Sequence, residues 1–326
     1  MEKGIAYART AEGLELAVID VTNPAFALNL SEEQLAELLR QFLIENSQPR
    51  DLSPEVIAAL KASILGSALM AASGTFLDAI STYRLKLGPA HLGEGATQVD
   101  LKIASSFPAV SARLRNADMA RLLAEGLATR GHAAKKDLRF FNLGGGTAAD
   151  SWNALILLTK DHPETLRDRK IQIAVLDLDQ RGPAFAANAI AALRQPGNAL
   201  AGLEIALEFV SYEWSETERL RSILEAFAAK SAVCAISSEG ALFEYGTDDE
   251  IVANLSVLRE GVSNDAFVVG SATRDAEATR AISRAGRIAT RPRTLESFET
   301  LAMRGGWQIE KVLERAFSFH VRLATA

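Results

Sequence analysis

The sequence predicts an α/β fold: a mostly parallel seven-stranded sheet with an antiparallel last strand, preceded by a mainly helical amino-terminal region. Three observations carry this expectation. From Leu138 onward, short apolar runs alternate with stretches of helical periodicity, the pattern of a parallel sheet covered on both faces. The last two apolar runs, Trp307 to Leu313 and Phe317 to Leu323, are separated by three residues, too few for a helical crossover, so they should pair antiparallel. Before Lys135 the punctuation is that of helices.

In order, Leu14 to Val21 reads as a short strand. Ser31 followed three residues later by Gln34 has the form of a capping box, and Leu35, Leu38, Leu39, Phe42 and Leu43 follow at helical spacing. Ser53 and Pro54 suit an N-cap and first helical position, opening a helix from Glu55 to about Ser73. Further helices are expected from Thr75 to Leu87, stopped by Gly88-Pro89, and from about Pro108 to Thr129, stopped by Gly131. The alternating region then offers strands at Leu138 to Leu143, Ile171 to Leu178, Ile205 to Val210, Ala232 to Ile236 and Ala266 to Val269. Helices are expected between them at Ser151 to Thr159, Ala184 to Leu193, Glu216 to Ala229 and Asp248 to Arg259, and a last one at Leu295 to Met303 before the closing hairpin. The change of pattern divides the chain into 1–134, a helical lid or dimerisation domain, and 135–326, a ligand-binding domain.

Composition narrows the function. Lys plus Arg total 35 against 41 Asp plus Glu, a formal net charge of −6, and no basic block could track a phosphate backbone, so nucleic acid is not an expected partner. The amino terminus carries Glu2, Glu12, Glu15 and Asp20 and lacks a signal peptide's apolar core, and the single cysteine, Cys234, suits a reducing cytoplasm. Ala62 to Leu77 is weakly polar but shorter than the about 20 residues of a membrane span, and reads as a buried helix. His132, His162 and His320 have no partners at ligand spacing, so no metal is expected.

The chemistry is expected in Asn142-Leu143-Gly144-Gly145-Gly146-Thr147-Ala148-Ala149, between a strand and a helix. Glycine there lets the backbone turn tightly and a ligand approach, and the free N–H groups of the new helix attract polar or anionic groups. The next strand ends in Asp177-Leu178-Asp179, which places a carboxylate where it can accept hydrogen bonds from ribose hydroxyls. Asp179 could equally cap the following helix. Gly144, Gly146 and Ala149 also satisfy the G-x-G-x-x-A form of a dinucleotide site, but Asp177 lies 28 residues beyond Ala149, against about 20 for that fingerprint.

Over Leu138 to Ala326 the chain resembles the class I S-adenosylmethionine-dependent methyltransferases, whose fold is Rossmann-like with a reversed last strand. The resemblance implies S-adenosylmethionine as cofactor, with Asn142, Leu143, Gly144, Gly145, Gly146 and Thr147 around its methionine part. It also implies Asp177 and Leu178 at the ribose, and Trp214, in Tyr212-Glu213-Trp214, beside adenine. The acid that many members carry two positions before the first glycine is Asn142 here, and the third glycine is Ala148. The segment Ser237 to Asp248 leaves the carboxyl end of the fourth strand, where substrate-facing residues are expected: Ser238, Glu239 and Tyr245, joined by Tyr83 and His91 from the helical region. Glu239, then Tyr245, would serve as catalytic base if the acceptor must lose a proton. Thr247 or Asp248 could instead simply cap the next helix.

The expected activity is methyl transfer to a small molecule, with a homodimer as one use of the amino-terminal helices and no membrane or nucleic-acid partner. A noncatalytic S-adenosylmethionine-binding or regulatory protein on the same fold, and an NAD(P)-dependent oxidoreductase using the same turn, stay open as alternatives.

Overall fold

The computed structural model describes residues 4–48, 52–72, 77–131, 136–286 and 289–326. The chain opens with a small hairpin, β1 (Tyr7–Arg9) and β2 (Glu15–Ala17), paired antiparallel. Helices α1 (Glu32–Glu45), α2 (Pro54–Ala62), α3 (Ile64–Ala71), α4 (Ala79–Leu87), α5 (Gln98–Ser105) and α6 (Phe107–Gly131) follow. The alternating region supplies β3 (Leu138–Leu143), α7 (Ala149–Asp161), β4 (Ile171–Asp177), α8 (Arg181–Leu193), β5 (Ile205–Ser211), α9 (Thr217–Ala226), β6 (Val233–Ser238), α10 (Leu242–Tyr245), α11 (Asp248–Gly261) and β7 (Phe267–Thr273). It closes with α12 (Glu277–Gly286), α13 (Leu295–Arg304), β8 (Trp307–Glu314) and β9 (Ser318–Thr325).

The large sheet has the order β5-β4-β3-β6-β7-β9-β8, parallel except for β9, which runs antiparallel to both neighbours. This is the α/β architecture, with its reversed last strand, that the alternation and the closing three-residue connection predict. The chain leaves β3 toward β4 and β5 and returns on the other side of β3 as β6. The crevice where these connections diverge, beyond the carboxyl ends of β3 and β6, is where such sheets bind ligands. Helices α6, α7 and α8 contribute to the core on one face, and α9, α11 and α13 to the core on the other.

Part of the amino-terminal region shares the core of the sheet, while Leu65, Leu92 and Ala104 form a small cluster of their own. Leu16, Val18, Ile19, Tyr83, Leu87, Met119 and Leu123 pack in one continuous cluster with Phe140, Trp152 and Phe185. Polar contacts reinforce it: Trp152 Nε1 donates to the Ile19 carbonyl at 2.8 Å, and Val21 N–H donates to Asn153 Oδ1 at 2.8 Å. Residues on both sides of the change of pattern near residue 134 thus contribute to one cluster. Helix α6 lies against α7 and against strands β6, β7 and β9, as a covering helix of the sheet.

Several local expectations change. Ser31 and Gln34 do form the capping box of α1. The helix expected from Glu55 to about Ser73 is broken at Ser63, where extended backbone (φ −97°, ψ 155°) ends α2 and the hydroxyl caps α3 through Gly66 N–H. Asp100, on α5, accepts from Leu65 N–H at 2.7 Å and holds the bend. The stretch Ala62 to Leu77 is not a buried helix: of α3 only Leu65 and Gly66 are buried, and 73–76 lie outside the described residues, as does the expected helix start at Thr75. No single helix among the described residues is long and apolar enough to cross a membrane. Helix α5, unexpected from periodicity, carries its own capping box from Thr97 and Asp100.

A largely buried chain of polar side chains ties α6 to β9. His320 Nδ1 lies 3.0 Å from Asp118 Oδ2, His320 Nε2 lies 2.8 Å from Ser318 Oγ, and Arg315 Nε donates to Asp118 at 2.7 Å. Its order is that of a hydrolytic triad, but Asp118, His320 and Ser318 are all buried and Ser318 lies in a paired strand, so the chain is a structural clamp. Burial would raise the Asp118 carboxyl, but the hydrogen bonds from His320 and Arg315 outweigh it and hold the group at about 2. With an unfolded carboxyl near 3.9, this depression is worth about 2 to 3 kcal/mol above that pH, lost progressively as pH falls through about 2. Asp118→Asn should accordingly lower stability at neutral pH and flatten its fall between about pH 5 and 2, as checked by urea melts across that range. An equally steep fall in the variant would remove the assignment.

Candidate functional site

The turn after β3 forms as its composition demands. Gly144 and Gly146 take left-handed backbone (φ 64° and 53°), and Gly144 N–H donates to the Leu176 carbonyl at 2.7 Å, binding the turn to the end of β4. Ala148 is also left-handed (φ 53°) and precedes the first turn of α7, so the position where the resembling family has its third glycine keeps a glycine-like conformation despite its methyl group. Leu143 and Thr147 are buried beneath the turn, and Gly145 sits over Asn142.

Asp177 stands at the carboxyl end of β4. Its Oδ2 accepts from Gly146 N–H at 2.8 Å and its Oδ1 from Asp179 N–H at 3.0 Å. A carboxylate has about four acceptor sites, so two remain. Leu178 beside it is 60% exposed, and Trp214, half-buried, has its ring within reach of Gly144. Asp179 is held by Arg181, with Nη2 donating to Oδ2 at 2.7 Å, and serves the start of α8.

Asn142 lies beneath the turn, fully buried, and does not face outward. Its Nδ2 lies 2.9 Å from Asp150 Oδ1, 3.0 Å from Ser151 Oγ and 2.7 Å from Ser237 Oγ. The amide has two N–H donors for these three acceptors, whereas a carboxylate at 142 would meet Asp150 as a like charge.

The segment after β6 is built around ion pairs that no local pattern announces. Glu239 accepts from Lys86 Nζ, on α4, at 2.7 and 2.9 Å, and from Arg115 Nε, on α6, at 3.3 Å. Arg115 also donates to Glu244 Oε1 at 3.2 Å; Ser271 Oγ donates to the same oxygen at 2.7 Å and accepts from Gly240 N–H. Burial would raise the Glu239 carboxyl, but Lys86 and Arg115 overcome it and hold the group low. A carboxylate so paired is a weak base, which argues against the proton-accepting role expected of it. Burial and then Glu244 push the Tyr245 phenol up to about 12, so it too is poorly suited to accept a proton at neutral pH. Ser238 is buried and its hydroxyl has no hydrogen-bond partner. Thr247 caps α11 in a capping box with Glu250, and Asp248 pairs with Arg293 at 2.8 Å.

Of two substrate residues expected in the helical region, Tyr83 serves the fold instead, and His91 is half-buried and held by the preceding chain. Tyr83 is completely buried; its hydroxyl donates to the Ala17 carbonyl at 2.7 Å, accepts from Ile19 N–H at 2.9 Å, and its ring packs on Trp152 and Phe185. His91 Nε2 lies 3.0 Å from the Ala25 carbonyl, and its ring lies 4.7 Å from that of Phe26. Both are bound by the preceding chain, which sequence spacing cannot reveal. Cys234 is buried in β6, and burial pushes its thiol up to about 12, unlike a nucleophile.

No protein-family model and no curated protein matches the chain. Solved structures are similar to it to differing degrees. A possible exported protein from Bordetella parapertussis superposes with a TM-score of 0.59 over 92% of this chain and 99% of its own, at 16% identity. Magnesium protoporphyrin IX methyltransferase from Synechocystis PCC 6803, with bound SAH, gives 0.48 over 76% of this chain and 94% of its own, at 10% identity. A methyltransferase in calicheamicin biosynthesis, in its SAH-bound form, gives 0.38 over 85% and 74%, at 15% identity. The likeness to the Bordetella parapertussis protein, at 16% identity, is one of fold.

Proposed function

We propose that the chain binds S-adenosylmethionine and transfers its methyl group to a small-molecule acceptor. The observation that carries this reading is the pairing of the glycine turn at the end of central β3 with Asp177 at the end of β4, on a sheet whose last strand is reversed. The residues suit the cofactor chemically. The two acceptor sites left on Asp177 match two neighbouring ribose hydroxyls, exposed Leu178 offers an apolar surface for a base, and Trp214 adds an aromatic one. The turn itself is covered: a Cβ placed on Gly144 would come within 2.5 Å of the Ala241 Cβ, so Ala241 has to give way for a ligand to lie along the backbone there.

When bound, the sulfonium supplies a methyl group already attached to a good leaving group. This chain's residues then have to orient the acceptor in line and exclude water. With Glu239 committed to Lys86 and Arg115, the reading favours an acceptor that is nucleophilic without losing a proton to the protein. The same commitment motivates a second reading, a cofactor-binding protein without turnover, which methylation of any member of a broad acceptor panel would remove.

Calorimetric titration with S-adenosylmethionine, S-adenosylhomocysteine and NADPH tests the proposal: micromolar binding of the first two is expected, and binding of NADPH alone would overturn it. Asp177→Ala should weaken both adenosyl ligands by about 1 to 3 kcal/mol through loss of a charged acceptor. Unchanged affinity in a folded variant would remove Asp177 from the site.

A further inference from the structure

Beneath the glycine turn five ionisable side chains from different elements converge: Lys86 on α4, Arg115 on α6, Asp150 on α7, Glu239 after β6 and Glu244 on α10. They comprise three carboxylates and two cations. Lys86 and Arg115 are matched to Glu239 and Glu244, which leaves the negative charge of Asp150 in surplus. Asp150 is 1% exposed. Its Oδ1 accepts from Ser151 N–H at 2.7 Å and from Asn142 Nδ2 at 2.9 Å, while its Oδ2 is buried with no hydrogen-bond partner. A buried carboxylate oxygen without a donor is costly. Burial, and then the charge of Glu239, push this carboxyl up to about 6 against the opposing pull of the Ser237 hydroxyl, Lys86 and Ser151 N–H.

We propose that Asp150 is the counter-ion for the primary ammonium of an amino-acid moiety on the bound ligand, so that helix α7 supplies the negative charge that position 142 lacks. The inference rests on the reading of the site as one for S-adenosylmethionine, whose methionine part carries such an ammonium. That group would give Oδ2 its missing donor and balance the charge of the cluster. Asn142 then has a positioning role: its amide holds Oδ1 and leaves the other oxygen for the ligand.

The test compares S-adenosylhomocysteine with methylthioadenosine, which keeps the adenosine and thioether but lacks the amino-acid group, on wild type and Asp150→Asn by calorimetry. The variant should bind S-adenosylhomocysteine about tenfold or more weakly, with methylthioadenosine changed by less than about twofold. Wild-type affinity for S-adenosylhomocysteine should rise as pH increases through about 6, because the ammonium requires the ionised carboxylate, and methylthioadenosine affinity should not. The charged groups facing Asp150 are Lys86 and Glu239, with Arg115 and Glu244 behind Glu239; Glu239 is held low, whereas Asp150 is pushed up into this range. Equal loss of both ligands, or no loss of either, overturns the inference while leaving the cofactor reading intact. Should Asp150→Asn fail to fold, a flat wild-type profile from about pH 5 to about 8 overturns it as well. Failure of wild type to bind either adenosyl compound overturns both.

Discussion

Gly144→Val is expected to abolish adenosyl-ligand binding and to lower stability by about 3 to 5 kcal/mol. Two independent costs add. The residue sits at φ 64°, where a β-branched side chain is strained, and its Cβ would meet the Ala241 Cβ at 2.5 Å. The turn cannot relax freely, because Gly144 N–H is committed to the Leu176 carbonyl. The two costs can be separated with Gly144→Ala, alone and with Ala241→Gly: the pair should recover the contact contribution and retain the backbone one. Chemical denaturation reads the stability and calorimetry the binding. Wild-type stability in Gly144→Val would mean that the segment after β6 does not rest on the turn.

Arg115→Met should cost about 3 kcal/mol, because removing one partner of a buried ion pair leaves the other without compensation. The loss falls unevenly. Glu239 keeps Lys86, whereas Glu244 keeps only the Ser271 hydroxyl as a side-chain donor among the described residues. Arg115→Met combined with Glu244→Gln should therefore recover most of the stability, and combination with Glu239→Gln less of it. Equal recovery by both would mean that the two carboxylates are not distinguished by their remaining partners. Urea midpoints for the three variants decide between these outcomes.

These expectations differ in how far the sequence foresees them. The glycine turn and Asp177 are legible because each is a local signal: a breaker between two periodic segments, and an acid ending an apolar run. The capping boxes of α1 and α11 span four residues each and are legible for the same reason, and Thr97 with Asp100 carries a similar signal that marks α5. The break at Ser63 is less so: the apolar residues run on at helical spacing through it, and the Asp100 side chain that takes the Leu65 N–H comes from 35 residues away. Tyr83 and His91 look like lid residues because their partners, Ala17, Ile19 and Ala25, lie outside any local window.

The amino-acid sequence by itself determined the alternation of strands and helices, the antiparallel closure by β8 and β9, the left-handed turn after β3 and the acid after β4. All follow from side-chain periodicity and backbone sterics acting over a few residues. The tertiary structure alone decided that part of the amino-terminal segment shares the core of the sheet, that Glu239 is an ion-pair partner of Lys86 across 153 residues, and that Asp150 holds the surplus charge beneath the turn. Burial and charge pairing depend on what the folded chain brings within a few ångströms, and a buried charge takes its meaning from neighbours that sequence distance does not disclose.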